Sequence, residues 1–383
     1  MLEKRKLIDT FMELVTIDSE SGHEKEIAKH IANRLEKLGF TVTFDKANKK
    51  FGGEIGNIIA KKPGKRPRKR DPFYTEPFLL NAHMDTVSPG CDVRPKLRDD
   101  IITSSGPTIL GADDKAGIAA ILHVLEVIKK KKLHHPPLEV VFTVSEEKGL
   151  AGSGQLDFTQ FEAKRGLCLD GSHLGSFVLS APYKAVLDVE VGGYSAHAAN
   201  PQRGVNAIQV AAQAVSKMHL GLVDDETTCN IGTFEAVNQI NVIPDKARLQ
   251  LEIRSRDEGK LISQIDHINR CFRDGASSFV ARRPEGEKRP SVSATTKRMY
   301  DGYHIDSDDP FVQEVVKATE ELDIDPILAD GMGGTDANHF MANGIKVLIM
   351  GVGIHEAHTT REWISTYELF KAARLLLRIV TRK

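Results

Sequence analysis

Four short apolar runs in this chain each end in acids or histidines, and that pattern restricts the fold more than any other feature of the sequence. Pro77–Ala82 empties into His83-Met84-Asp85-Thr86, Leu138–Val144 into Ser145-Glu146-Glu147, and Gly166–Leu169 into Asp170. Lys346–Met350 leads through a glycine-rich loop to His355 and His358. Apolar runs this short, bounded by turn residues, read as strands buried on both faces. Such strands belong to an open α/β sheet, which builds its sites at the C-terminal strand ends.

Leu110–Gly117, LGADDKAG, adds two adjacent carboxylates, Asp113 and Asp114, on a glycine-bounded turn. A helix follows, with Ile118, Ile121, Leu122, Leu125 and Ile128 at the three-and-four spacing of one packed face. An isolated Asp-Asp there is ordinarily a helix cap. Beside four acidic strand ends it reads as a place for a cation.

Upstream, Leu7, Ile8, Phe11, Leu14 and Val15 make a first helix, and Ser21 with Glu24 reads as a capping box opening a second that ends at Gly39. Phe40–Asp45 and Ile55–Lys61 read as strands, and the basic stretch Lys61–Pro72, KKPGKRPRKRDP, as an exposed loop. From Ala181 to about His304 the pattern becomes strand–helix–strand–strand–helix–strand: Lys184–Val191, Gly204–Met218, Cys229–Ala236, Ala247–Ser255, Lys260–Phe279 and Ser291–Tyr303. That is a split βαβ unit inserted in the first domain. The expected divisions are 1–181, 182–304 and 305–383.

Composition narrows the function. A net charge of -1, 6% aromatic residues and one Trp give neither a field nor a stacking platform for nucleic acid. The N-terminal residues interleave charges with apolar side chains, and the most apolar helix carries His123 and Glu126, so neither a signal peptide nor a membrane span is expected. The four cysteines form no Cys-x-x-Cys pair, which suits reduced thiols and a cytoplasmic protein.

His83, Asp113, Glu147, Asp170 and His358 together are two imidazoles and three carboxylates. Nitrogen and oxygen donors without thiolate suit zinc, cobalt or manganese, and a two-metal site needs one carboxylate shared between ions about 3.5–4 Å apart. Asp113 is the natural bridge. Asp85, two residues beyond His83, is placed to take the imidazole's other N–H. Glu146, beside the ligand Glu147, is the candidate general base toward a water.

The motifs HMDT, LGADDKAG, SEEKG, LCLDG, GGYSAHA and GIHEAHTTREWI, in this order over nearly the whole chain, resemble the di-zinc exopeptidase family of peptidase T, glutamate carboxypeptidase and the aminoacylases. The resemblance implies a mixed-sheet α/β catalytic domain with an inserted ferredoxin-like lid and dimerisation domain. It also implies two divalent ions per chain, most simply zinc, with His83 and Asp170 on one, Glu147 and His358 on the other, and Asp113 on both. His358 rather than His355 fits, because Thr359, Glu362 and Ile364 complete the family's His-Thr-x-x-Glu-x-Ile pattern. The Asp113–Asp114 peptide would be cis.

In the lid, the resemblance gives His197 an oxyanion-stabilising role, across a homodimer interface or within one chain. Asn241 and Arg254 resemble substrate ligands, while Arg254 reads equally well as a sheet-surface ion pair. Gly333 and Gly334 would lie beside the substrate. ADDKAG and HTTREWI are closer to the peptidase T branch, which implies cleavage of the N-terminal peptide bond of short peptides, tripeptides in particular. The alternatives are an N-acyl amino acid deacylase with the same metals and, from another class, a catalytically silent binding protein, which the intact ligand set disfavours. The basic stretch 61–72 has no counterpart in the family's motifs.

Overall fold

The structure is a computed structural model that describes residues 2–66 and 72–382. The chain divides into two units, Met1–Ser180 with His304–Lys383, and Ala181–Tyr303.

The first unit is a mixed α/β layer. Its nine-stranded sheet runs in the order Thr41–Phe44, Ile58–Lys62, Leu138–Thr143, Phe78–His83, Arg165–Gly171, Lys346–Gly351, Ser176–Ala181 and Tyr303–His304, with Ile327–Asp330 paired to Ser176–Ala181. Phe78–His83 lies parallel to both Leu138–Thr143 and Arg165–Gly171, and Lys346–Gly351 is parallel to the latter. Parallel pairing sends all four strands out of the same sheet edge, so the polar residues that follow them converge. Every residue of Phe78–His83 and of Leu138–Thr143 is buried, as expected of strands covered on both faces.

One cover is the helix Ala112–Lys131, packed between the sheet and the helices Lys4–Val15 and Thr366–Thr381. The expected apolar stripe is too narrow a description, because every residue from Ile118 to Leu125 is buried. Neighbours on all sides replace the single packed face, and Ile121→Ala would cost about 2–5 kcal/mol through the cavity it leaves.

The expected capping box is absent. Glu24 immediately precedes the helix Lys25–Leu38, but no side chain caps that helix. Ser21 Oγ instead donates to Asp85 Oδ2 at 2.6 Å, and Glu24 Oε1 accepts from Ser145 N and Ser145 Oγ, each at 3.0 Å. Both polar groups are drawn into long-range contacts because they are buried and must find partners there. Of the expected basic loop, Lys61 and Lys62 end a strand, Lys65 exchanges backbone hydrogen bonds with His135, and residues 67–71 lie outside the described residues. A four-stranded sheet of very short strands, Ile354–His355, Trp363–Ser365, Ile101–Ser104 and Pro95–Arg98, was not expected.

The second unit is a five-stranded antiparallel sheet in the order Gly221–Asp224, Thr227–Glu235, Lys246–Ser255, Tyr183–Gly192 and Ser291–Tyr300. Along Lys246–Ser255 alternate residues are buried, and Leu249, Leu251 and Ile253 meet Val210 and Ala211 of the helix Ala207–Val215 and Ile268 and Phe272 of the helix Glu258–Ser277. The strand Gly221–Asp224 and the hairpin Ala281–Arg283 with Gly286–Lys288 are additions to the expected pattern.

Candidate active site

His83 is the last residue of its strand and is almost fully buried. Its Nδ1 lies 2.9 Å from the backbone carbonyl oxygen of Asp85 and 3.5 Å from that residue's Oδ1. A carbonyl oxygen only accepts, so the ring proton belongs on Nδ1. Nε2 then turns a lone pair toward Asp113 Oδ1 at 3.1 Å and Asp170 Oδ1 at 3.8 Å. Three acceptors facing one another require a proton or a cation between them.

Asp113 repeats the arrangement on its other side. Its Oδ2 lies 3.1 Å from His358 Nε2, and that nitrogen lies 2.8 Å from Glu147 Oε1. Ligand atoms fall within 4.8 Å of one another in three groups: His83 with Asp113 and Asp170, His83 with Glu146 and Glu147, and Asp113 with Glu147 and His358. One oxygen of Asp113 serves the first group and the other the third, which is the donor arrangement a bridged pair of cations requires. The Asp113–Asp114 peptide is cis.

The charges of the cluster agree. Burial, with repulsion from neighbouring carboxylates, pushes Glu146 and Asp170 well above the ordinary carboxylate range. Burial also acts to raise Asp113, but hydrogen bonds from His358 and His83 more than offset it and hold it low. Contacts with Asp113 and Glu147 raise His358 to about 10. For His83, burial acts downward and is outweighed by Asp113 and Asp85. Without a cation, the acids capture protons wherever the fold allows.

The supports come from unexpected places. Asp85 meets His83 Nδ1 with its backbone carbonyl, the nearer acceptor, as well as with its carboxylate. That fully buried carboxylate accepts the backbone N–H groups of Glu146 at 2.9 Å and Glu147 at 3.2 Å, so it fixes the turn presenting both acids. Asp114 Oδ1 accepts from Gly117 N, the local helix cap, and Oδ2 from His83 N. Glu362, buried to 1% exposure, takes Leu110 N and Gly111 N on Oε2 and Asp113 N on Oε1. It stood in the C-terminal motif without a role, and its contacts reach back about 250 residues, so only the fold reveals them.

Gly333 and Gly334 precede the buried Asp336, whose Oδ2 takes Thr143 Oγ1 and Asn81 Nδ2 from two adjacent strands. Its negative charge is one cause of the raised Glu146. A Cβ built at Gly333 meets no atom within 4 Å, so nothing in its own surroundings requires glycine. His355 is held elsewhere, 2.7 Å from Glu368 Oε2 and stacked on Trp363 with centroids 3.8 Å apart. His358 therefore is the imidazole facing the cluster.

In the second unit, His197 is exposed and its Nδ1 accepts Ala199 N at 3.1 Å, which leaves the neutral ring's proton on Nε2. Asn241 is its neighbour, since Ala198 N donates to the Asn241 carbonyl. Both hang from the sheet end where Lys246 pairs with Gly192. Arg254 pairs with Lys184 eight residues further along the strand, about 27 Å away, and its Nε lies 2.7 Å from Glu252 Oε1. Within one chain the structure does not bring Arg254 together with His197 and Asn241.

Fold and cluster define a metal-dependent hydrolase. Residues 79–382 match the model of peptidase family M20/M25/M40, and the chain belongs to that family. It is similar to the solved tripeptidase of Staphylococcus aureus, with 34% identity, a TM-score of 0.91 and coverage of 100% of this chain and 99% of that one. It is also similar to the solved aminopeptidase PepT of Bacillus cereus, with 35% identity, a TM-score of 0.88 and coverage of 99% and 98%. An uncharacterized Bacillus subtilis protein, YqjE, is 34% identical over 382 residues, 99% of each chain. Among the described residues no helix is long and apolar enough to cross a membrane.

Proposed function

We propose that this metallopeptidase is an aminopeptidase of short peptides, tripeptides above all, that acts in the cytoplasm as a homodimer. The observation that carries the reading is Asp113, with one oxygen toward His83 and the other toward His358, beside a buried Glu146. His83 and Asp170 would hold one divalent ion, Glu147 and His358 a second, and Asp113 both, zinc being the simplest choice for these donors. Bound there, the ions supply Lewis acidity toward the scissile carbonyl and toward the attacking water.

The chain's own groups do the rest. Glu146 accepts the water's proton on its carboxylate and returns it to the departing amine nitrogen. Asp85 keeps Glu146 and Glu147 in register through their backbone N–H groups. His197, with its proton on Nε2, donates to the oxygen that gains negative charge. Asn241 and Arg254 bind the substrate's backbone and carboxylate, and Gly333 and Gly334 leave room beside it.

An extended tripeptide spans roughly 10 Å. His197 and Arg254 of one chain are too far apart to serve the same one, so the reading gives His197 and Asn241 to a second copy's substrate. The test is kcat/KM for a free tripeptide, its N-acetylated form and an N-acetyl amino acid. The free tripeptide should be fastest. Faster cleavage of the N-acetyl amino acid would replace peptidase with deacylase.

A further inference from the structure

His197 sits on a loop whose base is closed by a reciprocal backbone pair, Tyr194 N to Val205 O and Val205 N to Tyr194 O, each at 2.9 Å. One side of the loop is sewn to the Asn241 segment, with Ala198 N donating to Asn241 O at 2.9 Å and Ile243 N to Ala196 O at 2.8 Å. Its other side meets a side chain from the hairpin Ala281–Arg283 with Gly286–Lys288. That hairpin is itself anchored, because Ala281 is fully buried in the second unit's core.

The side chain is Arg283. Its Nη2 donates to Ser195 O at 2.6 Å, just before His197, and its Nε donates to Arg203 O at 3.1 Å on the returning arm. Its guanidinium carbon also lies 5.3 Å from the centroid of the Tyr194 ring, at the loop's base. Glu285, on the same hairpin, is 3.7 Å from Nη1 and balances the charge. A planar fork with separated donors can hold two arms of a loop at once, whereas the single ammonium of a lysine cannot reproduce that span.

We propose that Arg283 is a positioning residue for His197, clamping the two arms of its loop so that the Nε2 proton is presented in a fixed direction. The proposal rests on the reading of His197 as the donor to the oxyanion. The contacts of Arg283 are to the loop and to Glu285, so its effect should pass through His197 alone.

The experiment pairs kinetics with hydrogen–deuterium exchange on the intact, metal-loaded protein. Arg283→Ala should lower kcat for a tripeptide by roughly 10- to 100-fold, as small misplacements of catalytic groups do. KM and metal content should stay as in the wild type, and the amides of residues 195–204 should exchange faster. Arg283→Lys should recover only part of the loss. In a His197→Ala background, Arg283→Ala should have no further effect. An undiminished loss in that background, or wild-type kcat for Arg283→Ala, would overturn the positioning role. Unchanged exchange overturns the clamp whatever the activity does. A loosened loop with a silent His197→Ala instead removes the donor role of His197 and leaves the clamp standing, so the two failures are distinguishable.

Discussion

Glu362 Oε1 accepts the backbone N–H of Asp113 at 2.9 Å, which places a buried carboxylate directly behind the one that faces both imidazoles. Its second oxygen takes Leu110 N and Gly111 N, so three donors of the turn depend on one side chain. Glu362→Gln would set an amide NH₂ against at least one of those N–H groups. Divalent-ion affinity should weaken by about 10- to 100-fold, the usual effect of losing a group that orients a ligand. Calorimetric titration with zinc checks this, and wild-type affinity would show that the turn holds itself.

Glu146 and Glu147 should separate cleanly on substitution. Glu146→Gln removes the proton acceptor at nearly constant shape, so ion content should persist while kcat falls by roughly 10²–10⁴. Glu147→Gln should instead lose ions, because Oε1 is the atom that meets His358. Near wild-type turnover by Glu146→Gln would refute its assignment as the base.

The strand-end acids and histidines were legible because burial and parallel pairing leave little choice about where residues after an apolar run emerge. His83, Glu147, Asp170 and His358 could be placed from local sequence and motif order. Ser21 and Glu24 could not, since the same spacing that writes a capping box also serves two buried contacts to Asp85 and Ser145. Part of Asp85's work is hidden for a related reason: besides its carboxylate, its own backbone carbonyl meets His83 Nδ1, and backbone acceptors are invisible in a residue pattern. The short strands Ile101–Ser104 and Trp363–Ser365 carry too few residues to show a period. The hairpin bearing Arg283 is charged along most of its length, so no apolar alternation marks its strands.

Proton release should accompany ion binding. In the metal-free protein His358 is raised from 6.5 to about 10 by Asp113 and Glu147, so at neutral pH its ring is protonated and must lose that proton to coordinate. Calorimetry in two buffers of different ionisation enthalpy should show at least one proton released per chain at pH 7, and affinity should rise as the pH approaches 10. For the metal-free fold the sign is opposite: the ion pairs of His358 stabilise it fully below about pH 6.5 and are lost as pH rises through about 10. No proton release at neutral pH would mean that the ion does not take the place of a proton on His358.

Mixed assemblies test whether His197 serves the cluster of a second copy. Chains carrying His197→Ala and chains carrying Glu146→Gln should each be poor enzymes, yet verified heterodimers should recover part of the activity, because one of their two sites would draw both intact groups from different copies. Absence of recovery would show that His197 serves the cluster of its own chain.

The bridge at Asp113 is the claim on which the account depends, and ion stoichiometry against activity addresses it directly. Metal-free protein should be inactive, and activity on a tripeptide should rise to its maximum only as zinc approaches two equivalents per chain by elemental analysis. Asp113→Ala should be inactive with both equivalents weakened together, since one carboxylate is lost to both ions. Full activity at one bound ion per chain, or loss of only one equivalent in Asp113→Ala, would contradict the bridge.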